Sequence, residues 1–214
     1  MATGQPKRPT PPDAAKARER ILRAAIKLFA VHGLAGTSME SVARAARVAK
    51  GLVFHHFGTK QALYRAVLER IYAELRARQD ATDLSGLGPV AGMRHLATDT
   101  FRIFRERPEI VALMNEENLH RARNIRRSAS IKALYNPLLG AIEALLAAGH
   151  AQGLFRADVD PVALYVALSG LGYFYCANRW TLGAAFAGDL FLPERVAGYE
   201  ALVGDMVVAY LTAR

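Results

Sequence analysis

The sequence predicts an all-α protein, with a small basic helical unit at the N-terminal end and a larger helical body behind it. Apolar residues recur at three-and-four spacing almost throughout, and no stretch alternates apolar with polar as a half-buried strand would. Prolines, glycines and capping residues fall where helices start and stop, with Pro137 the exception. The charge is lopsided. Residues 1–60 carry eleven Lys and Arg against three Asp and Glu, and residues 61–214 seventeen against sixteen, so almost all of the net +9 sits in the first third. Such a distribution describes an end that meets a polyanion, joined to a near-neutral body; a basic surface that only solubilises is the competing account.

Residues 1–13 hold four prolines and no apolar period, and are predicted to be a flexible tail whose Lys7 and Arg8 could brush phosphates. From Ala14, the residues Ile21, Leu22, Ala25, Leu28 and Phe29 mark one buried face of a first helix that stops at His32-Gly33. Thr37 with Glu40 fits a capping box opening a short second helix that buries Met39, Val42 and Ala46. A third short helix is expected from Ala49 to His56, and Thr59 can cap a long fourth one. Ser85 to Pro89 is a break. Pro108, Pro161 and Pro193 sit where a first-turn proline is tolerated, with Asp160 as an N-cap. Pro137, inside a helical pattern from about 125 to 151, marks a kink or a helix start. The domains predicted are 14–62 and 63–214.

Several classes are set aside by what is missing. The lone Cys176 allows no internal disulfide and suits a reducing cytoplasm. No run of eighteen apolar residues and no signal-peptide core appears, so the expectation is a soluble cytoplasmic protein without membrane contact. A nucleophile elbow, a zinc-type motif and a Gly-rich phosphate loop are all absent, which argues against an enzyme and against a cofactor. The His55-His56 pair makes a poor metal site, since adjacent ring nitrogens on a helix diverge.

Two short helices joined by a tight turn inside a basic three-helix unit describe a DNA-reading helix-turn-helix, whose second helix enters the major groove. The stretch from Ile21 to Ile71, ILRAAIKLFAVHGLAGTSMESVARAARVAKGLVFHHFGTKQALYRAVLERI, strongly resembles the DNA-binding domain of TetR-type repressors. The resemblance implies that Val48, Val53 and Phe57 hold the reading helix while Lys50, Gly51, Leu52 and His55 face the groove. Lys50 can donate to guanine and Leu52 can touch a thymine methyl. Thr37, Ser38, Phe54, His56 and Lys60 fall at positions that in the family contact phosphate, helped by the amides opening helices two and four. Two positions depart from the pattern. Phe54 stands where a tyrosine is common, losing a phosphate hydrogen bond. Arg47 stands where the turn usually has glycine, which predicts strain on the order of 1 kcal/mol, offset if Arg47 reaches phosphate.

In the body, PVALYVALSGLGYFYCANRW is apolar nearly all round, and ERVAGYEALVGDMVVAYL has a broad apolar stripe. Each demands burial on two sides, which a homodimer through these last two helices would supply; a larger monomeric core is the alternative. The family resemblance implies the same dimer and a palindromic double-stranded DNA operator released by a small-molecule effector. More loosely, the body is similar to that of pyrimidine-utilisation-type regulators. Candidates for the effector site are Phe101, Phe104, Met114, Glu117, Asn118, Tyr173, Cys176, Asn178 and Trp180. Each has a bland alternative: aromatic stripes at helical spacing are core more often than pocket, Glu116 and Glu117 more often a solvated helix start, and Cys176 a small buried hydrophobe. Coupling is expected to run through helix four. A DNA-binding regulator answering to a protein partner, or to no ligand, is the second reading.

Overall fold

A computed structural model describes residues 11–80, 86–134, 136–186 and 188–213, and among these every regular element is helical. Helices α1 (Pro11–Gly36), α2 (Met39–Ala46), α3 (Lys50–Phe57) and α4 (Lys60–Asp80) form the N-terminal part. The body consists of α5 (Pro89–Glu106), α6 (Pro108–Leu119), a 3-10 turn (Ile125–Arg127), α7 (Ala129–Ala133), α8 (Asn136–Ala151), α9 (Pro161–Ala177), α10 (Arg179–Ala185) and α11 (Pro193–Thr212).

The caps explain most boundaries. Pro89, Pro108, Pro161 and Pro193 each open a helix, where the missing N–H costs nothing, and the Asp160 carboxylate accepts from the Val162 and Ala163 amides. Pro137 lies in the first turn of α8, so it starts a helix. Helix α1 begins at Pro11, three residues inside the stretch predicted as tail; Lys7 and Arg8 lie outside the described residues. Helical geometry in α1 is interrupted at Gly33 (φ +65°), the predicted stop. The capping box of α2 is shifted by one residue: Ser38 is the N-cap and exchanges hydrogen bonds with Ser41, so Thr37 and Glu40 do not form it. The shift follows from the Gly33 corner, which turns Thr37 inward to donate to the Leu28 and Gly33 carbonyls.

Two cores result. The first joins Ile21, Phe29, Val42, Val53, Leu63 and Tyr64 to Ile103, Leu113 and Ile131, so the reading unit and the near end of the body share one interior. Phe29 meets Tyr64 edge-on at 5.0 Å. The second packs Met93, Ile142, Phe155, Leu168, Val203 and Leu211 of α5, α8, α9, α11 and the loop after α8. The stretch 129–151 has the length and apolarity of a membrane span, yet Ile131, Leu138, Ile142 and Leu145 are buried in these two cores. Arginines pin α4 to its neighbours: Arg70 reaches Glu19 of α1 at 2.9 Å, and Arg78 reaches Asp99 and Glu106 of α5 at 3.0 and 2.6 Å.

Candidate functional site: reading helix and effector cleft

The turn before α3 sets the reading helix. Arg47 ends α2 in the left-handed region (φ 53°, ψ 50°), the conformation predicted from its replacement of glycine. The turn is held by Arg47 N–H to Arg44 O at 3.1 Å, Val48 N–H to Ala43 O at 3.0 Å, and Arg20 Nη2 to Arg47 O at 2.8 Å. On α3, Val53 and Phe57 are buried and Val48 packs against the same core. Lys50, Gly51, Phe54 and His55 face outward, with Leu52 half-buried beside them. A Cβ on Gly51 would meet nothing within 4 Å, so this surface is open. Lys50 rests in an ion pair with Glu40 of α2, its ammonium 5.7 Å from the centre of the Phe54 ring.

Two of the predicted phosphate contacts point elsewhere. The Thr37 side chain is buried and spends its hydroxyl on the α1 corner, where it braces the docking end of α2. His56 turns its Nε2 into the protein, where no described group receives it. Burial, then repulsion from His55 and Arg18, lowers its pKa and favours the neutral ring. Ser38, by contrast, is exposed at the α2 N-terminus, and Lys60 donates to Ala35 O at 3.4 Å where α4 begins. Among the described residues no group of three or more His, Cys, Asp or Glu gathers as metal ligands.

A cleft of about 410 Å³ opens between α5, α6, α9, α10 and the segment before α11. Phe104, Cys176 and Trp180 of the predicted set line it; Arg105, Asn115, Arg179 and Phe191 complete its character. The Arg179 guanidinium lies 4.1 Å from the Phe191 ring centre and 4.6 Å from that of Trp180, and its Nε is buried without a partner among the described residues. Burial raises the Cys176 thiol to about 11, so it is protonated at neutral pH. Tyr173 reaches the cleft only through its hydroxyl, which donates to Asn115. The other predicted positions fall outside the lining. Phe101 is fully buried against Tyr175 and Tyr199, and Met114 packs on the first core. Glu117 is buried and accepts from Asn124 and Ile125, while Asn118 is exposed away from the cleft. Asn178 donates from Nδ2 to Phe174 O at 3.0 Å at the junction of α9 and α10.

Residues 21–67 match the family model for bacterial regulatory proteins of the tetR family, and residues 89–207 match a tetracyclin repressor-like C-terminal domain. The transcriptional repressor NicS of Pseudomonas putida is 31% identical over 195 residues, which span 91% of this chain and 92% of NicS. This chain belongs to the TetR family. The repressor KstR2 of Rhodococcus jostii is 28% identical over 143 residues, 67% of this chain and 70% of KstR2. Among solved structures, the putative transcriptional regulator SCO4942 from Streptomyces coelicolor superposes with a TM-score of 0.71 at 26% identity, over 92% of this chain and 99% of that one.

As a TetR-family member the protein is a DNA-binding transcriptional regulator and not an enzyme. One further feature of its reading unit escaped sequence inspection. Arg20, Arg23 and Lys27 of α1 join Arg47 around a groove of about 590 Å³ floored by Leu28 and Ala46. Their spacing along α1 was a visible signal, but it reads equally as a solvated face until Arg47 is placed beside it.

Proposed function

We propose that this regulator is a cytoplasmic repressor that grips a palindromic operator as a homodimer and releases it when a small molecule enters the cleft beside Trp180. Residues 14–62 act as the reading unit and residues 63–214 as the effector and pairing unit. Lys50, Gly51, Leu52 and His55 meet the bases, while Ser38, Lys60 and Arg47 meet phosphate. One observation carries the ligand response: α6 contributes Val111, Ala112 and Asn115 to the cleft, and the next residue, Glu116, accepts the Leu34 amide of α1 at 3.1 Å. Occupation of the cleft therefore bears on the reading unit through α6 as well as α4. The lining favours a flat effector with an acceptor or anionic edge for Arg179.

Pairing is supported by apolar faces with nothing over them among the described residues. On α9, Val162, Val166 and Phe174 are more than half exposed, and on α11 Leu202, Met206 and Tyr210 are nearly so. Their inward neighbours Leu164, Leu168, Val203 and Val207 already fill the second core, so the outward stripes suit a second copy. The test is a metabolite screen read by thermal shift, Trp180 fluorescence and operator release. A hit should lower operator affinity, and Arg179→Ala should blunt the release while sparing DNA binding. If no compound shifts melting or operator affinity, the ligand-response reading falls.

A further inference from the structure

The segment joining α6 to α7 carries the other strongly basic cluster of the chain. Between residues 120 and 127 stand His120, Arg121, Arg123, Arg126 and Arg127 with no acid among them. All four arginines are exposed, and none has an ion pair or side-chain hydrogen bond among the described residues. Most of the body's other arginines differ in this. Arg78, Arg94, Arg102, Arg105, Arg107 and Arg156 each hold a carboxylate. Without the four, the part of the chain after residue 60 would carry thirteen basic residues against sixteen acidic ones. Its charge is thus concentrated in one loop.

That loop is built to a fixed shape. The buried Glu117 carboxylate accepts from Asn124 N–H at 3.1 Å, Asn124 Nδ2 at 2.8 Å and Ile125 N–H at 3.1 Å. Arg121 and Ala122 both adopt the left-handed region (φ 56° and 55°), a cost that neither residue type repays locally. At its far end Ser128 donates to Glu69 of α4 at 2.8 Å, and Ile131 is buried in the first core. The place matters as much as the shape. Glu116, at one end, holds Leu34, four residues before Ser38. Tyr64, beside Glu117, and Glu69, bonded to Ser128, lie roughly 6 and 14 Å along α4 from Lys60. The loop is therefore anchored within about two Debye lengths, at physiological salt, of the start of α4.

We infer that the 120–127 loop is a second phosphate-binding surface, by which the effector domain itself grips duplex DNA beside the helix-turn-helix. This rests on the DNA reading above. The unpaired guanidinium groups would neutralise backbone phosphates without reading sequence, adding to affinity and to its salt dependence.

The experiment compares the full-length protein with a variant carrying Arg121→Asn, Arg123→Gln, Arg126→Gln and Arg127→Gln; asparagine is chosen because it tolerates the left-handed conformation. Binding to a selected operator and to a random-sequence duplex is titrated over a range of salt, with melting temperature and dimer mass as controls. The expected result is at least tenfold weaker binding to both duplexes at moderate salt, and a log–log salt slope flatter by about 0.9 for each phosphate that is no longer neutralised. Unchanged affinity and slope in a folded variant would overturn the inference. Should the variant melt early, Arg123→Glu and Arg126→Glu singly decide by the same readout: weaker, less salt-sensitive binding supports the surface, and wild-type binding overturns it. Failure of the wild-type protein to bind any duplex would instead sink the DNA reading itself.

Discussion

Replacing Arg47 separates what its backbone costs from what its side chain does. The residue sits at φ 53°, ψ 50°, where a side-chain-bearing residue costs about 1–2 kcal/mol and glycine almost nothing. Glycine also frees the unfolded chain, which returns about 0.5–1 kcal/mol. None of the hydrogen bonds that hold the turn uses the Arg47 side chain, so Arg47→Gly keeps them. A net gain of roughly 1 kcal/mol remains, or about 2–4 °C in Tm for a chain of this size. Arg47→Ala removes the guanidinium but retains the left-handed penalty, so it should leave Tm nearly unchanged. Both variants should bind operator more weakly if Arg47 reaches phosphate. The assay is calorimetry at one fixed protein concentration, because the Tm depends on it if the chain pairs as proposed, followed by gel-shift titration. A glycine variant no more stable than the alanine variant would refute the assignment of strain to this turn.

Lys50→Ala should weaken operator binding and relax base preference, whereas Lys60→Ala should weaken binding to all duplexes and flatten the salt slope; equal affinity for both variants and wild type in titrations at moderate salt would contradict the docking. Val166→Glu with Met206→Glu places charge in both exposed stripes and should turn a dimer into a monomer by light scattering, with the fold retained by circular dichroism. The lowered pKa of His56 means the unfolded chain takes up its proton more readily, so stability should fall as pH drops below the ordinary histidine range near 6.5. His56→Gln should remove that part of the loss; denaturant melts at pH 7.5 and 5.5 would show the difference between the two proteins shrinking or reversing at the lower pH.

What could be read from the sequence was whatever is decided locally. Proline at a first turn, Asp160 before Pro161 and the left-handed Arg47 depend on a few adjacent atoms, and each stands where the residues placed it. Neighbouring residues with the same chemistry were harder to separate. Thr37 and Ser38 both offer a capping hydroxyl, and the Gly33 corner decides which one faces in. Phe101 and Phe104 share a helix face by spacing, yet one is enclosed by Tyr175 and Tyr199 while the other borders the cleft. Glu116 and Glu117 take opposite duties, one to α1 and one to the 120–127 loop. Arg179 was invisible as a lining residue because its place depends on Phe191, twelve residues away beyond α10.

The consecutive placement of Asn115 at the cleft and Glu116 on Leu34 gives the molecule a lever with almost no length. If the cleft is the effector site proposed above, sensing and grip occupy adjacent residues of a rod whose backbone hydrogen bonds leave little room for one to move without the other. No relay of intermediate side chains is needed between the cleft and the Glu116–Leu34 hydrogen bond. Changes in effector preference made on this helix will therefore carry a change in operator affinity with them, so a new specificity would have to be drawn from the far wall of the cleft, from α9, α10 and Phe191, where residues are free to vary without loosening the hold on Leu34.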